Sequence, residues 1–291
     1  MENHSTNLSA IADLDHLMIA VFDHEKAIAA YSRLGFKVRP VRQLPPMGGG
    51  TAGGNGGSAA ILLRSRTAGC ANYLEIARAD PETAMPIMQE ILCGQEGPAM
   101  LVHATLDPDD LSARWTQLGI AMQRIELVLQ PFGEGPPVDL QVFLVEPNQA
   151  AFNFNACWYS DPYDFERDEW RDHPNGAIHW NGLSIPIDDD LFDNSVKRFS
   201  SVYGVLATLD DGGCARFTPG CSSLKLYTKS SYHSLYGHSS DGGIVHLIVK
   251  SIQLLSSYLN QNEIDFEWIG SKIKVDGSDA NGSTLLFEEI S

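Results

Sequence analysis

Two polar residues interrupt apolar segments at positions where they could do chemistry. His16 opens the alternating segment HLMIAVF (16–22), and Glu75 lies inside YLEIA (73–77). Successive side chains of a strand point to opposite faces, so each polar group would project away from an apolar face. An ionised carboxylate among apolar neighbours is costly unless a partner or a metal neutralises it. The alternative is a hydrogen-bonded histidine at a strand end and a solvated glutamate.

The segment that contains His16 predicts a strand followed closely by a helix. Alternation from His16 predicts the strand, and Asp23 is a suitable N-cap. Apolar residues then recur at helical spacing up to Leu34, and Gly35 supplies a C-terminal stop. Three strand-like segments follow, at 36–44, 59–65 and 72–79.

This order of elements recurs along the chain. A strand at 99–107, a helix at 108–119 and strands at 122–130, 138–145 and 150–159 form a second copy. A third copy begins at 181–204, and a fourth runs from 242–264 to the C-terminal TLLFEE. The chain is therefore predicted to be an α+β protein of four βαβββ modules.

A polar, proline-containing stretch without alternation separates the second copy from the third. We expect an N-terminal domain of two modules over 12–160, a linker over 161–176 and a C-terminal domain of two degenerate modules over 177–291. Pairing of the first module with the second, and of the third with the fourth, is the simplest arrangement.

Composition limits the classes of partner. Twenty Lys and Arg against 37 Asp and Glu give a net charge of −17, which repels nucleic acid and anionic membranes. The same charge would attract a cationic ligand, or it only marks a solvated acidic surface. The five scattered cysteines contain no C-x-x-C pair, and we expect reduced thiols. The polar start lacks the features of a signal peptide, so a cytoplasmic protein is expected.

The first module carries a family resemblance. LDHLMIAVFD and AYSRLGF, followed by YLEIA, resemble the glyoxalase-like members of the vicinal oxygen chelate superfamily. The segment HPNGA (173–177), just ahead of the third module, resembles a subgroup with a duplicated pair of modules. The resemblance implies that paired modules curve into open cups, each a mixed sheet, and that a divalent metal binds inside.

In that family the first and last strands of the modules supply the metal ligands. Carried over, these ligands fall on His16 and Glu75, with Glu75 as either ligand or general base, and Fe, Mn, Ni or Zn as the metal. The second module departs from the pattern, because Met100 stands at the position of His16. A third ligand would come from His103, Asn155 or Tyr159. His103 faces outward in this register, and a one-residue slip would turn it inward.

Two further features have open interpretations. His246 and Glu288 lie in the first and last strands of the fourth module, and they are either a second metal site or a decayed copy that serves packing. The glycine-rich run 47–58 lacks the ending of a nucleotide-binding loop, and we interpret it as a lid over the cup rather than a linker.

Two functions of different classes follow. The first is a metal-dependent lyase, isomerase or dioxygenase that acts on a small oxygenated molecule chelated in the N-terminal cup. The second is a metal-free protein of the same fold that binds or sequesters a small molecule. The expected partner is this small molecule, and a homodimer stays open.

Overall fold

The computed structural model describes residues 10–43, 56–237 and 242–290. Within these ranges the strands form two eight-stranded sheets. The strands of the first sheet are Asp13–Ala20 (β1), Arg39–Gln43 (β2), Gly57–Leu62 (β3), Tyr73–Arg78 (β4), Gly97–Ala104 (β5), Met122–Leu129 (β6), Val138–Val145 (β7) and Phe154–Tyr159 (β8). The strands of the second are Ala177–Ile187 (β9), Thr208–Asp210 (β10), Cys214–Phe217 (β11), Ser223–Thr228 (β12), Ile244–Val249 (β13), Glu267–Ile269 (β14), Lys272–Val275 (β15) and Thr284–Glu289 (β16).

Seven α-helices connect or cover these strands in the described ranges. They are His24–Arg33 (α1), Pro86–Leu92 (α2), Pro108–Gln117 (α3), Asp168–Arg171 (α4), Phe192–Tyr203 (α5), Lys229–Tyr236 (α6) and Ile252–Gln261 (α7). None of these helices is both long enough and apolar enough to cross a membrane.

The two sheets have the same topology. The first has the strand order β2-β3-β4-β1-β5-β8-β7-β6, and the second has β10-β11-β12-β9-β13-β16-β15-β14. In each sheet the first strand of one module is antiparallel to the first strand of the next and parallel to the last strand of its own module. This order confirms the prediction of four βαβββ modules that pair in chain order into two curved mixed sheets. The division into domains 12–160 and 177–291 stays a proposal.

The strand–helix unit of the first module forms for the local reasons seen in its sequence. The Asp23 side chain accepts a hydrogen bond from the Lys26 backbone N–H and so caps α1. Ala27 and Tyr31 form the buried face of α1. Gly35 then has a φ of 85°, a left-handed conformation that favours glycine. The cap recurs in α3, where the Asp107 carboxylate accepts from the Asp110 N–H.

One continuous apolar core joins the two sheets. It combines residues from the outer faces of both sheets with residues of α1, α3, α5 and α7. Paired hydrogen bonds also cross from one sheet to the other: the Asn72 side chain donates to the Trp180 carbonyl at 3.0 Å and accepts from the Trp180 N–H at 2.8 Å. The His173 ring accepts from the Lys37 N–H and donates to the Leu62 carbonyl, which makes the HPNGA turn a structural joint.

His103 belongs to this core. Its Nδ1 lies 2.8 Å from the Asn155 carbonyl oxygen and its Nε2 lies 2.9 Å from the Tyr203 hydroxyl, and the residue is completely buried. The register pairs Met18 with Met100, so no slip turns His103 toward the inner face of the sheet. Burial lowers the pKa of His103 to about 4, because the charged imidazolium is poorly solvated there.

We expect the free energy of unfolding to fall less steeply on acidification in His103→Gln than in the wild type. The unfolded chain binds a proton at His103 near pH 6.5 and the folded protein only near pH 4, so stability present above pH 6.5 is lost as the pH falls toward 4. The steepest contribution of one histidine is ~1.4 kcal/mol per pH unit. Urea unfolding of wild type and variant at several pH values measures the difference.

His173 has a pKa lowered to about 4 as well and keeps its own share of the acid sensitivity in the variant. His173→Gln therefore serves as a parallel case, and the double variant should be flatter than either single one. Equal pH slopes in wild type and His103→Gln would contradict a neutral His103 in the folded protein.

Candidate functional site

The inner face of the first sheet lines a cavity of about 900 Å³, including its open mouth. The first module supplies a polar wall, formed by His16, Arg39, Arg42, Ser58, Tyr73 and Glu75. The second module supplies an apolar wall, formed by Leu127, Leu129, Leu140, Val142 and Leu144. The cavity can therefore hold a molecule with one polar and one apolar side.

A β-bulge in β1 determines which groups reach the floor of the cavity. Leu14 pairs with His103 and His16 pairs with Val102, so Asp15 is an extra residue opposite β5. A bulge of this kind re-aims side chains that strict alternation would send to opposite faces. The completely buried Asp15 carboxylate and the His16 imidazole thereby come into contact although they are adjacent in sequence.

The His16 imidazole bridges two carboxylates. Its Nδ1 lies 2.7 Å from Asp15 Oδ1, and its Nε2 lies 3.3 Å from Glu75 Oε2. The side chains of His16 and Glu75 are only 8% and 11% exposed, so water screens this contact weakly. The sequence-derived pair of His16 and Glu75 is thus brought together at the floor of the cavity.

Opposing effects determine the charges of this group. Burial alone would lower the pKa of His16, but the hydrogen bonds and charges of Asp15 and Glu75 raise it to about 9. Burial alone would raise the pKa of Glu75, but the hydrogen bond and charge of His16 hold it below its ordinary value. In the metal-free protein His16 is therefore an imidazolium between two carboxylates at neutral pH.

Aromatic side chains hold the imidazole in place. The Tyr73 ring stacks on His16 with centroids 4.2 Å apart, and Phe165 stacks on the other side of Tyr73 at 4.9 Å. The Tyr159 hydroxyl donates to Asp15 Oδ1 at 3.3 Å and lies 3.3 Å from the Tyr73 hydroxyl. Phe165 comes from the segment predicted as the linker, so that segment completes the site.

The second module contributes different groups at the equivalent positions. Because Met100 stands at the position of His16, Val102 stands at the position of Met18. Glu75 pairs with Met18 and Asn155 pairs with Val102, so Asn155 is the counterpart of Glu75. Asn155 lines the cavity, but its side-chain oxygen accepts the Val145 N–H at 2.8 Å. His103 lies behind the sheet, so the structure does not bring it to the cavity with the other predicted ligands.

Asp15 and Cys157 are functional candidates that the sequence analysis missed. A ligand atom from each of Asp15, His16 and Cys157 lies within 4.8 Å of the other two. Burial raises the pKa of Cys157 well above its ordinary value, which keeps the thiol protonated in the metal-free protein. The register shift at Asp15 leaves no signature in the sequence, and Cys157 was one of five unpaired cysteines.

The donor set fits a divalent metal beside His16 and Glu75. Two donors that each bind one ion at about 2.1 Å lie roughly 3 to 3.4 Å apart, and the distance between His16 Nε2 and Glu75 Oε2 is 3.3 Å. Asp15 accepts the Nδ1–H on the far side of the ring, an arrangement typical of metal-binding histidines. Two protein ligands would leave positions open for oxygens of a bound molecule.

The C-terminal cup has different chemistry. His246 Nε2 lies 2.6 Å from the Ser184 hydroxyl, while Glu288 forms an ion pair with Lys272. The counterpart of Glu75 is Lys225, which pairs with Ser184. Burial and the charges of Lys225, Lys272 and the exposed Arg216 lower the pKa of His246 well below its ordinary value. These cations favour the interpretation of a decayed copy over a second metal site.

The glycine-rich run 47–58, interpreted from sequence as a lid, lies almost entirely outside the described residues. Only Gly56, Gly57 and Ser58 are described, and the last two begin β3. Ser58 lines the polar wall of the cavity.

In the described part of the chain the fold has two cups, and the cavity of the N-terminal cup has a polar wall whose side chains fit a divalent metal. The family model of the glyoxalase-like domain matches residues 14–199. The chain belongs to this family, and with it to the vicinal oxygen chelate superfamily. No curated protein matches the chain.

Solved structures share the fold over nearly the whole chain. A hypothetical protein from Staphylococcus aureus is 9% identical, with a TM-score of 0.60 and coverage of 95% of this chain and 99% of that one. A variant of 4-hydroxymandelate synthase from Streptomyces coelicolor is 10% identical, with a TM-score of 0.59 and coverage of 96% and 93%. A variant of homoprotocatechuate 2,3-dioxygenase from B. fuscum is 11% identical, with a TM-score of 0.55 and coverage of 99% and 75%. These likenesses show the fold alone.

Replacement of Asp15 by Asn should lower the pKa of His16 from about 9 toward its ordinary value of 6.5. The substitution keeps the shape of the side chain and removes one of the two negative charges that stabilise the imidazolium. Imidazole chemical shifts of the metal-free protein, followed against pH by NMR, report the change.

Asp13→Asn is the matched control. Asp13 is buried in the same strand, but its carboxylate accepts from the Ser222 and Cys221 N–H groups instead of His16. The control should leave the His16 pKa near 9. A His16 pKa that is the same in wild type and Asp15→Asn would rule out the charge of Asp15 as a cause of the shift.

Proposed function

We propose that the protein is a metal-dependent glyoxalase-like enzyme, a lyase, isomerase or dioxygenase, that acts on a small oxygenated molecule in the N-terminal cup. The observation that carries this proposal is the contact between His16 and Glu75 at the floor of the cavity, with Asp15 behind the imidazole. Structures of the same fold that are named as a dioxygenase and a synthase support an enzyme of this broad kind.

His16 and Glu75 would hold the metal, which is Fe, Mn, Ni or Zn in this proposal. A divalent metal bound there would act as a Lewis acid on two neighbouring oxygens of the substrate. Asp15 keeps the proton on His16 Nδ1, so that Nε2 presents its lone pair to the cavity once the imidazolium has lost a proton. Metal binding would therefore release a proton from His16.

The remaining groups of the cavity would orient and shield the substrate. The Tyr159 hydroxyl donates its proton to Asp15, so the Tyr73 hydroxyl beside it is the one that would donate a hydrogen bond to a substrate oxygen. Glu75 is a carboxylate that lines the cavity and would serve either as ligand or as general base. The apolar wall of β6 and β7 would exclude water from the reacting end of the substrate.

A metal-free binding protein is the second candidate. It is favoured by Met100 and by the Asn155 side-chain oxygen, because neither group is available as a ligand of a hard metal ion. The His16–Glu75 contact is also complete as an ion pair without a metal. In this case the cavity would hold a ligand without chemistry.

We expect protein purified without chelator to contain stoichiometric transition metal, and His16→Ala and Glu75→Ala to lose it. Elemental mass spectrometry measures the content directly. His179→Ala and Glu126→Ala are matched controls, because His179 bonds the Arg64 carbonyl outside the cavity and Glu126 is exposed on β6. Asp15→Asn should weaken metal affinity on the order of 10- to 100-fold through the orientation of His16.

If the wild type takes up no metal after incubation with Fe(II), Mn(II), Ni(II) and Zn(II), the enzyme proposal fails and the binding protein stands. If the metal is present and lost in both variants, diols, α-keto hemithioacetals and catechols are the substrates to screen first.

A further inference from the structure

Three arginines converge on one buried carboxylate at the polar wall of the cavity. Asp164 Oδ2 lies 3.2 Å from Arg39 Nη1 and 3.5 Å from Arg42 Nη2, while Asp164 Oδ1 lies 2.9 Å from Arg167 Nε. The Arg39 and Asp164 side chains are only 5% and 4% exposed. One negative charge therefore faces three guanidinium groups, two of which, those of Arg39 and Arg42, line the cavity.

Within the part of the chain that the structure describes, Asp164 forms ion pairs with Arg39 and Arg42, and the Glu75 carboxylate lies on the same wall and interacts with the charge of Arg39. Arg39 Nε is buried and has no hydrogen-bond partner among the described groups. The residues that follow β2, LPPMGGGTAGGN (44–55), contain no Asp or Glu that could neutralise the arginines. A buried donor without a hydrogen-bond partner is costly.

Aromatic packing fixes the two guanidinium groups in place before any ligand arrives. The guanidinium carbons of Arg39 and Arg42 lie 4.3 and 4.2 Å from the centroid of the Phe132 ring. Phe132 is itself fixed, because its N–H donates to Asp164 Oδ1 at 3.0 Å. Arginines held in this way lose little conformational freedom when they bind an anion.

The wall of the cavity opposite the arginines, formed by β6 and β7, is apolar. Leu127 and Leu129 are only half-buried although they point into the cavity, and Leu140, Val142 and Leu144 extend the same surface. Burial of such a surface by an apolar group contributes roughly 25 cal/mol per Å². A ligand that matches these two surfaces carries a negative charge at one end and an apolar group that packs against β6 and β7.

We propose that the ligand of this cavity is an organic acid whose carboxylate binds Arg39 and Arg42 and whose apolar body lies against β6 and β7. Guanidinium groups bind the planar carboxylate through paired, charge-assisted hydrogen bonds. The inference rests on the proposed function only in taking this acid as the substrate, because the arginines bind the carboxylate without a metal. It also replaces the cationic ligand that the net charge of −17 favours, since the polar wall locally carries the opposite charge.

The test uses the 291-residue protein after treatment with chelator and three phenylalkyl probes: 3-phenylpropanoate, its uncharged amide 3-phenylpropanamide, and 3-phenylpropyl phosphate. Isothermal titration calorimetry gives each affinity. We expect the wild type to bind the carboxylate at least about tenfold more tightly than the amide, the effect of a charge-assisted pair. Arg42→Gln and Arg39→Gln should bring this ratio close to one.

Arg124→Gln is the matched control. Arg124 also lies over an aromatic ring and pairs with an aspartate, Asp109, but it does not line the cavity. Its carboxylate-to-amide ratio should equal that of the wild type. Arg42 is partly exposed, so Arg42→Gln keeps the test decisive if loss of the buried Arg39 unfolds the protein, which thermal unfolding of each variant will show.

The proposal is overturned if the wild type does not bind the carboxylate, binds it no more tightly than the amide, or keeps its preference in a folded Arg42→Gln. Tighter binding of the phosphate than of the carboxylate overturns the assignment to an organic acid. The metal proposal and the arginine proposal can fail independently. If the protein binds no metal but still prefers the carboxylate, the metal proposal fails and the arginine site is supported. If the wild type binds metal but does not prefer the carboxylate, the arginine proposal fails and the metal site is supported.

Discussion

The antiparallel contact between β1 and β5 is the constraint on which the cavity depends. This single pairing joins two modules into one sheet and sets the register that opposes Met18 to Met100 and His16 to Val102. Because side chains alternate along a strand, this register sends His103 to the core, and the pairing of Asn155 on β8 with Val102 on β5 sends Asn155 to the cavity. The bulge at Asp15 is the local exception that brings a carboxylate behind His16.

The floor of the cavity shows how a buried charge is kept in this fold. An imidazolium taken out of water is unfavourable by itself, yet the carboxylates of Asp15 and Glu75 reverse that effect and raise the His16 pKa to about 9. His103 is also buried, but its ring nitrogens form hydrogen bonds with a carbonyl and a hydroxyl instead of carboxylates, and its pKa falls to about 4. The two histidines differ in charge because their partners differ, although both lie in the central strands of one sheet.

Charge is distributed unevenly over the molecule. The net charge of −17 describes the whole surface, whereas the polar wall of the N-terminal cup concentrates arginines around Asp164 and the C-terminal cup places lysines near His246. The two cups thus share one topology but carry different chemistry. Equivalent strand positions hold Glu75 in one and Lys225 in the other, which is what duplication followed by divergence produces.

The sequence pattern alone determined the four modules and the caps at Asp23 and Asp107. It also determined that His16 and Glu75 lie on strand faces turned away from their apolar neighbours. These features depend only on residues that are close in sequence. The tertiary structure alone decided which residues join that pair. Asp15 depends on a bulge in the pairing with β5. From a segment that carries no periodicity, Phe165 reaches the cavity and Asp164 pairs with the cavity-lining Arg39. The grouping of Arg39, Arg42 and Phe132 combines residues about 90 positions apart, a distance over which spacing in the sequence carries no information about contact.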